Sequence, residues 1–363
     1  MKVSLPVSPT SSCSRTTALR LMVTTAAALS SPAVAGVGTS SNSNNQHNHH
    51  HIANNHNNAN FNPTTATHQH YFAIGAMMNP TSVKNRNLNL EVNHPARPGI
   101  LRDHKLNFFG PQGFAEVVYE EGSCLHGVVY ENVPTDQMKE LDLIERDYIR
   151  KYVDIQIYPP FSNDMEDAKR DALSSATLTL KNVSVYCRSE EEIEKCRRTI
   201  MDQPPSERYL SVLILGAKHY GLDPKYIQWL QDQEYRPRCH PSEYVTFLPP
   251  EGEPGTLHDA DVETLGNGEN GNPFYVRCNG RVVELLKEHA DDPFFHEWKQ
   301  VFSQRKRDVE LFISKVQYDP RFGIPAGVED MSPEWRNYCE HLFCEYMKGN
   351  NLLHRWKVIA KLL

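Results

Sequence analysis

Acidic residues are missing from the start of the chain. None precedes Glu91, and up to residue 70 the charged residues, histidines aside, are Lys2, Arg15 and Arg20. Ser, Thr, Asn and His dominate there instead. Such a stretch cannot bury enough apolar surface to offset the entropy of ordering, so 1–69 is expected to be disordered. No apolar run is long enough to cross a membrane as a helix, so no integral membrane segment is expected. Positive charge is not in excess: the net charge is −7 at pH 7, which argues against nucleic acid as the main partner. None of the eight cysteines makes a Cys-x-x-Cys pair, so no metal site of that kind is expected. A chain of this size does not need disulfide staples, and free thiols in a reducing compartment are the expectation. There is no internal repeat.

The front of the low-complexity segment admits two readings. Arg15 and Arg20 precede a weak apolar stretch, Leu21 to Leu29, and Ala33-Val34-Ala35-Gly36 resembles a small-residue cleavage site. It is either a targeting segment or an uncleaved tail, which leaves the cytoplasm and an organelle open as locations. The His49-His50-His51 run sits among asparagines that offer no fixed geometry, so a linker is expected rather than a specific metal site.

Periodic patterns begin near His70. Strands are expected at Tyr71–Ile74, Phe114–Glu120, Leu125–Glu131, Tyr152–Tyr158 and Ala176–Cys187, with a hairpin turn at Glu121-Gly122-Ser123. Pro159–Ser175 reads as a loop. Helices are expected at Thr135–Tyr148, Ser189–Met201, from Ser206 to His219, and from Asp223-Pro224 to about Glu234. Pro249–Asn272 is rich in Gly, Pro, Glu and Asn, and 239–272 is expected as a linker. Phe274–Leu286 is ambiguous. Pro293–Val316 and Pro333–Leu363 read as helical, with Ser332-Pro333 as a start signal. The final run, His354–Lys361, is basic and amphipathic and reads as a helix docked on the rest. The expected organisation is therefore 1–69 disordered, 70–238 a folded domain, 239–272 a linker and 273–363 a mainly helical region.

One helix carries a chemical signal. On a wheel of 3.6 residues per turn, Met138, Leu141, Ile144 and Tyr148 share a face. Glu145 lies at the edge of that stripe, while Glu140 and Asp147 point away. Burying a carboxylate costs several kcal/mol unless it is paired. From the wheel alone, two readings stand. Glu145 is a general acid/base, or it is bound by a structural cation such as Arg150, Arg86 or Lys151. His126 reads as a satisfied core histidine. A Cys124–His126 nucleophile pair has no third orienting group.

Five segments in order, over about 165 residues, resemble the gamma-glutamylcyclotransferase family. They are Tyr71-Phe72-Ala73-Ile74-Gly75-Ala76-Met77-Met78-Asn79-Pro80 with Arg86 downstream; Leu101–Phe108 with Gly113-Phe114-Ala115; Gly122–Tyr130, containing His126-Gly127-Val128; Leu141-Asp142-Leu143-Ile144-Glu145 followed by Tyr152; and Tyr209–Leu222, containing Gly216-Ala217 and Gly221-Leu222. The family's Tyr-Gly-Ser-Asn turn is Ile74-Gly75-Ala76-Met77 here, so only the glycine is kept.

The resemblance implies an α+β fold: a small twisted sheet or barrel with surrounding helices, extended by the helical C-terminal region. It implies Glu145 as catalytic residue, and Ile74, Gly75, Ala76, Met77, Met78 and Tyr152 as substrate-binding positions. The turn would hold a carboxylate through backbone N–H groups, which survive side-chain change. The implied reaction is attack of a gamma-glutamyl compound's α-amine on its own γ-carbonyl, giving 5-oxoproline and a released amine. It needs no cofactor and no metal, its partner is a small gamma-glutamyl substrate, and a homodimer is compatible with it. A retired domain that binds a small carboxylate or acts as a scaffold is the alternative, suggested by the altered turn.

Overall fold

The computed structural model describes residues 68–363, apart from 111, 146–147, 162–177, 190, 195–202, 251 and 304–305. The low-complexity segment, most of the Pro159–Ser175 stretch and most of the Ser189–Met201 helix lie outside the described residues.

The first unit is a closed barrel of five strands in the order β1-β3-β2-β4-β5. They are β1 (His68–Ala73), β2 (Arg97–Phe109), β3 (Phe114–Pro134), β4 (Ile149–Ile157) and β5 (Leu178–Cys187). β1 and β5 pair in parallel, and the other neighbours are antiparallel. Closure leaves no unpaired edge. Phe72, Leu125, Val128, Val129, Ile155 and Val183 belong to its core with essentially no exposure. A fully buried side chain of this size contributes about 1.5–3 kcal/mol. Among the described residues, α1 (Pro80–Asn85), α2 (Thr135–Ile144), α3 (Glu207–His219) and α4 (Pro224–Gln231) attend the barrel. Ser206 caps α3 by accepting from the Tyr209 N–H, and Asp223 caps α4 by accepting from the Lys225 N–H.

Two expectations change here. Phe114–Glu120 and Leu125–Glu131 are not two strands of a hairpin but parts of one long strand, β3, paired along its length with β2. Gly122, at φ +78°, forms no chain reversal. It sits where the β2–β3 register slips, opposite Asp103 at φ +58°, whose side chain accepts from the Gly122 N–H. A bulge uses the same residues as a tight turn, which is why the two look alike in sequence. The helix at Thr135 ends at Ile144, so Glu145 is its C-cap rather than an interior residue.

The second unit has its own core, built around Trp298, Phe302, Phe312, Phe343 and Trp356. Its helices are α5 (Asp259–Thr264), α6 (Pro293–Ser303), α7 (Val309–Val316) and α8 (Pro333–Gly349). They pack with a four-stranded sheet of order β6-β9-β8-β7. The strands are β6 (Gly255–Leu257), β7 (Phe274–Cys278), β8 (Arg281–Leu285) and β9 (Trp356–Leu362). Helical expectation therefore fails at the C-terminus. His354–Lys361 is largely strand β9, with Trp356, Val358 and Ala360 buried in alternation. A period of two and a helical stripe are hard to separate over seven residues. The ambiguous Phe274–Leu286 is a hairpin closed by Asn279-Gly280, both at positive φ. The stretch 239–272, expected as a linker, carries β6 and α5, and Phe247 and Val262 are buried. A few apolar anchors in a polar stretch do not register in its composition.

Glu310 is buried in this unit and accepts from the Asn279 N–H. Burial, against two backbone hydrogen bonds and aided by Asp308 and Glu340, pushes its carboxyl up to about 7. An unfolded glutamate titrates near ~4.3, so the folded state holds the proton more tightly. Stability is therefore fully present below that pH and is lost as pH rises through 7, with a slope of at most about 1.4 kcal/mol per pH unit. Glu310→Gln is expected to flatten this loss, read by urea unfolding between pH 5 and 7. Tryptophan fluorescence reports it, because Trp298, Trp335 and Trp356 lie in this core. An unchanged slope would show that Glu310 does not titrate in this range.

Candidate active site

The chain leaves β1 at Ala73 and turns at once. Ile74 and Gly75 lead into a single 3-10 turn, Ala76–Met78, and Asn79-Pro80 then opens α1. Asn79 is the joint. Its side-chain oxygen accepts from the N–H groups of Thr81 (2.9 Å) and Ser82 (3.2 Å), and its amide donates to the Val212 carbonyl of α3 (3.2 Å). Within the turn, the Met78 and Asn79 N–H groups donate to the carbonyls of Gly75 and Ala76. The Tyr130 hydroxyl donates to the Met77 carbonyl at 2.8 Å. The carbonyls thus have protein partners, whereas the first N–H groups of such a turn have none inside it.

Gly216 of α3 allows the helix to seat on this turn. A Cβ there would lie 2.7 Å from the Met78 carbonyl carbon and oxygen and 2.9 Å from the Asn79 nitrogen. Gly75 is crowded in the same way: a Cβ would lie 2.9 Å from the Tyr209 hydroxyl. That hydroxyl is itself held, accepting from the Ala115 N–H at 3.2 Å.

The turn faces a partly open cleft. Ile74, Gly75, Ala76 and Met77 line one side and Glu145 another, so the barrel unites two segments about seventy residues apart in sequence. Tyr71, Tyr148, Tyr186 and Tyr209 complete much of the wall. Among the described residues that line it, Glu145 is the one carboxylate and Arg86 the one cation.

Of the three cations proposed as structural partners for Glu145, two are elsewhere. Arg150 donates to Asp142 (3.1 Å from Nε) and to Gln69 (2.7 Å), and Lys151 is exposed. Arg86 is in the cleft, with its Nη1 donating to the Ser82 carbonyl at 3.0 Å. Burial lowers its pKa and the Glu145 charge opposes that. The tyrosines respond in the opposite sense to a cation. Burial, with Glu145 contributing at each, raises Tyr71, Tyr148 and Tyr186 and lifts the Tyr209 hydroxyl to about 12. They remain protonated at neutral pH and act as neutral hydrogen-bonding groups.

Two expected binding residues are not in the wall. Met78 is fully buried beneath the turn. Tyr152 is 37% exposed on the outer face of β4. Alternation explains it: Val153, Ile155 and Ile157 face inward, so the even-numbered Tyr152 faces out. Tyr71, Tyr148, Tyr209 and Phe114 were missed as wall residues. Buried aromatics are common in cores, and no local pattern separates a cavity wall from packing. His126 is a packed core residue, stacked on Tyr226 with 4.9 Å between centroids and 3.1 Å from the Tyr158 hydroxyl. Among the described residues, no His/Cys/Asp/Glu cluster has metal-binding geometry.

Residues 124–230 match the model of the AIG2-like family. Solved structures similar to this chain include an uncharacterised protein from Homo sapiens, 19% identical over 51% of this chain and 95% of that one, with a TM-score of 0.34. A gamma-glutamyl cyclotransferase is 19% identical over 46% of this chain and 89% of its own, with a TM-score of 0.33. A gamma-glutamyl cyclotransferase specific to glutathione, from yeast, is 14% identical over 46% and 94%, with a TM-score of 0.30. No curated protein shows significant similarity to the chain.

Gly216→Ala is expected to destabilise the fold by roughly 1–3 kcal/mol, because the new methyl meets backbone rather than a movable side chain. At an exposed helix position the same change would stabilise by up to about 1 kcal/mol. Urea denaturation gives the sign. A stabilised variant would mean that α3 does not clamp the turn.

Proposed function

We propose that this protein, whose residues 124–230 match the AIG2-like family model, is a gamma-glutamylcyclotransferase with Glu145 as its general acid/base. The observation that carries the reading is one carboxylate lining the same small cleft as a single 3-10 turn, the kind of turn whose leading N–H groups suit an anion.

In this reading the substrate's α-carboxylate lies against the amides of Gly75, Ala76 and Met77. Its side chain folds back so that the α-amine approaches the γ-carbonyl. Glu145 takes a proton from the ammonium group, and the freed nitrogen lone pair attacks the γ-carbon. The C–N bond to the leaving amine breaks as the lactam closes; Glu145 delivers the first proton to the departing nitrogen, and the ring nitrogen gives up a second, so the lactam is neutral and the amine leaves as an ammonium ion. Ring closure is intramolecular, so holding the folded conformer is the larger effect. Effective molarities for well-oriented rings reach roughly 10⁵ to 10⁸ M, and the proton transfer adds about 10² to 10⁴. The buried tyrosines shape the cleft and limit water around Glu145, which strengthens its electrostatic influence.

Ile74, Ala76 and Met77 replace polar side chains of the related family, and this favours a second reading: a domain that binds a small carboxylate without turning it over. A supply of γ-glutamyl dipeptides separates the two readings. The cyclotransferase releases 5-oxoproline, and Glu145→Gln lowers that release by at least about 10²-fold while thermal unfolding stays close to that of the parent. Normal turnover by the variant would remove Glu145 from the mechanism. Binding without 5-oxoproline release by the parent would establish the second reading.

A further inference from the structure

A second cavity adjoins the Glu145 cleft. Ala76, Arg86, Phe114 and Tyr209 line both. Its far wall comes from the end of α7 and the loop after it, through Val316, Gln317 and Tyr318, so the C-terminal unit completes it. Arg208, the neighbour of Tyr209 on α3, also lines it. Two guanidinium groups therefore line one cavity, and no carboxylate lines it among the described residues.

Both cations are positioned by backbone carbonyls. Arg86 Nη1 donates to Ser82 O and Arg208 Nη1 to Tyr318 O, each at 3.0 Å. Arg86 Nε is buried with no hydrogen-bond partner. The nearby Asp319 carboxylate is taken by Arg238 and Arg321. Burial lowers the pKa of both arginines, and at Arg86 the like charge of Arg208 adds to it against Glu145. Two desolvated like charges and an unfilled donor are the features an anion would relieve. A planar carboxylate matches the guanidinium fork.

We propose that this cavity is the leaving-group subsite, where Arg86 and Arg208 bind the free carboxylate of the departing amino acid. The glutamyl part occupies the Glu145 cleft, and the rest of the substrate passes along the shared wall into the arginine cavity. The C-terminal unit thereby selects γ-glutamyl amino acids over γ-glutamylamines. This rests on the cyclotransferase reading of the Glu145 cleft.

The test compares γ-glutamylalanine with γ-glutamylalaninamide, which differ only in the leaving group's charge, using the full chain. The parent is expected to favour the acid by roughly 10- to 100-fold in kcat/KM. Arg208→Gln is expected to slow the acid far more than the amide, so the preference collapses, and Arg208→Lys to retain part of it. A folding defect would slow both compounds together, so the ratio is the readout. Equal turnover of the two by the parent, or an unchanged ratio in Arg208→Gln, overturns the proposal. Turnover of neither compound overturns the cyclotransferase reading instead. Calorimetry with the same pair then decides the subsite. Tighter binding of the acid that is lost in Arg208→Gln supports it, and equal or absent binding overturns it.

Discussion

The closeness with which α3 approaches the turn after β1 governs the candidate site. Gly216 meets the Met78 and Asn79 backbone at distances that leave no room for a methyl group. Asn79 ties the same helix to the turn by donating to Val212, and Tyr130 holds the Met77 carbonyl. The carbonyls of the turn are engaged, and the leading N–H groups of such a turn find no acceptor within it. A backbone arranged this way selects for negative charge independently of its side chains. The side chains of Ile74, Ala76 and Met77 are themselves apolar, so any polarity of the turn is that of its backbone.

Burial then divides the labour among the ionisable groups. The tyrosines of the cleft are raised by desolvation and by the Glu145 charge, and stay neutral. Arg86 is lowered by burial yet supported by Glu145, and belongs to both cavities. The result is a gradient from a carboxylate at one end to paired guanidinium groups at the other.

The two units are joined by charge as well as by the arginine cavity. Arg238 pairs with Glu207 at the start of α3 and with the buried Asp319 in the C-terminal unit. Replacing one member of such a buried network leaves the others unpaired, which costs more than the pair contributes when intact. The position of α3, and with it the turn, is thus coupled to the C-terminal unit. Its compositional plainness conceals this. Phe247, Trp298 and Trp356 pack in one core, although they come from a polar stretch, a helix and a strand.

Local chemistry was legible in the chain. The caps at Ser206, Asp223 and Ser332 state where helices begin, because a side-chain acceptor and the first free N–H groups lie within three residues of each other. The stripe Met138, Leu141 and Ile144 states which face of α2 is buried, and so that Glu145 lies near the interior. Whether Tyr152 reaches the cleft was also decidable from alternation with Val153 and Ile155, and the resemblance pointed the wrong way. Contacts between distant segments were not legible. A bulge at Gly122 instead of a hairpin, a strand at Trp356 instead of a helix, and a cavity walled by residues 86, 208 and 318 all depend on partners far away in the chain. Side-chain pattern specifies a residue's own conformation and which way it faces. What it faces is set only when the barrel closes and the second unit packs against α3.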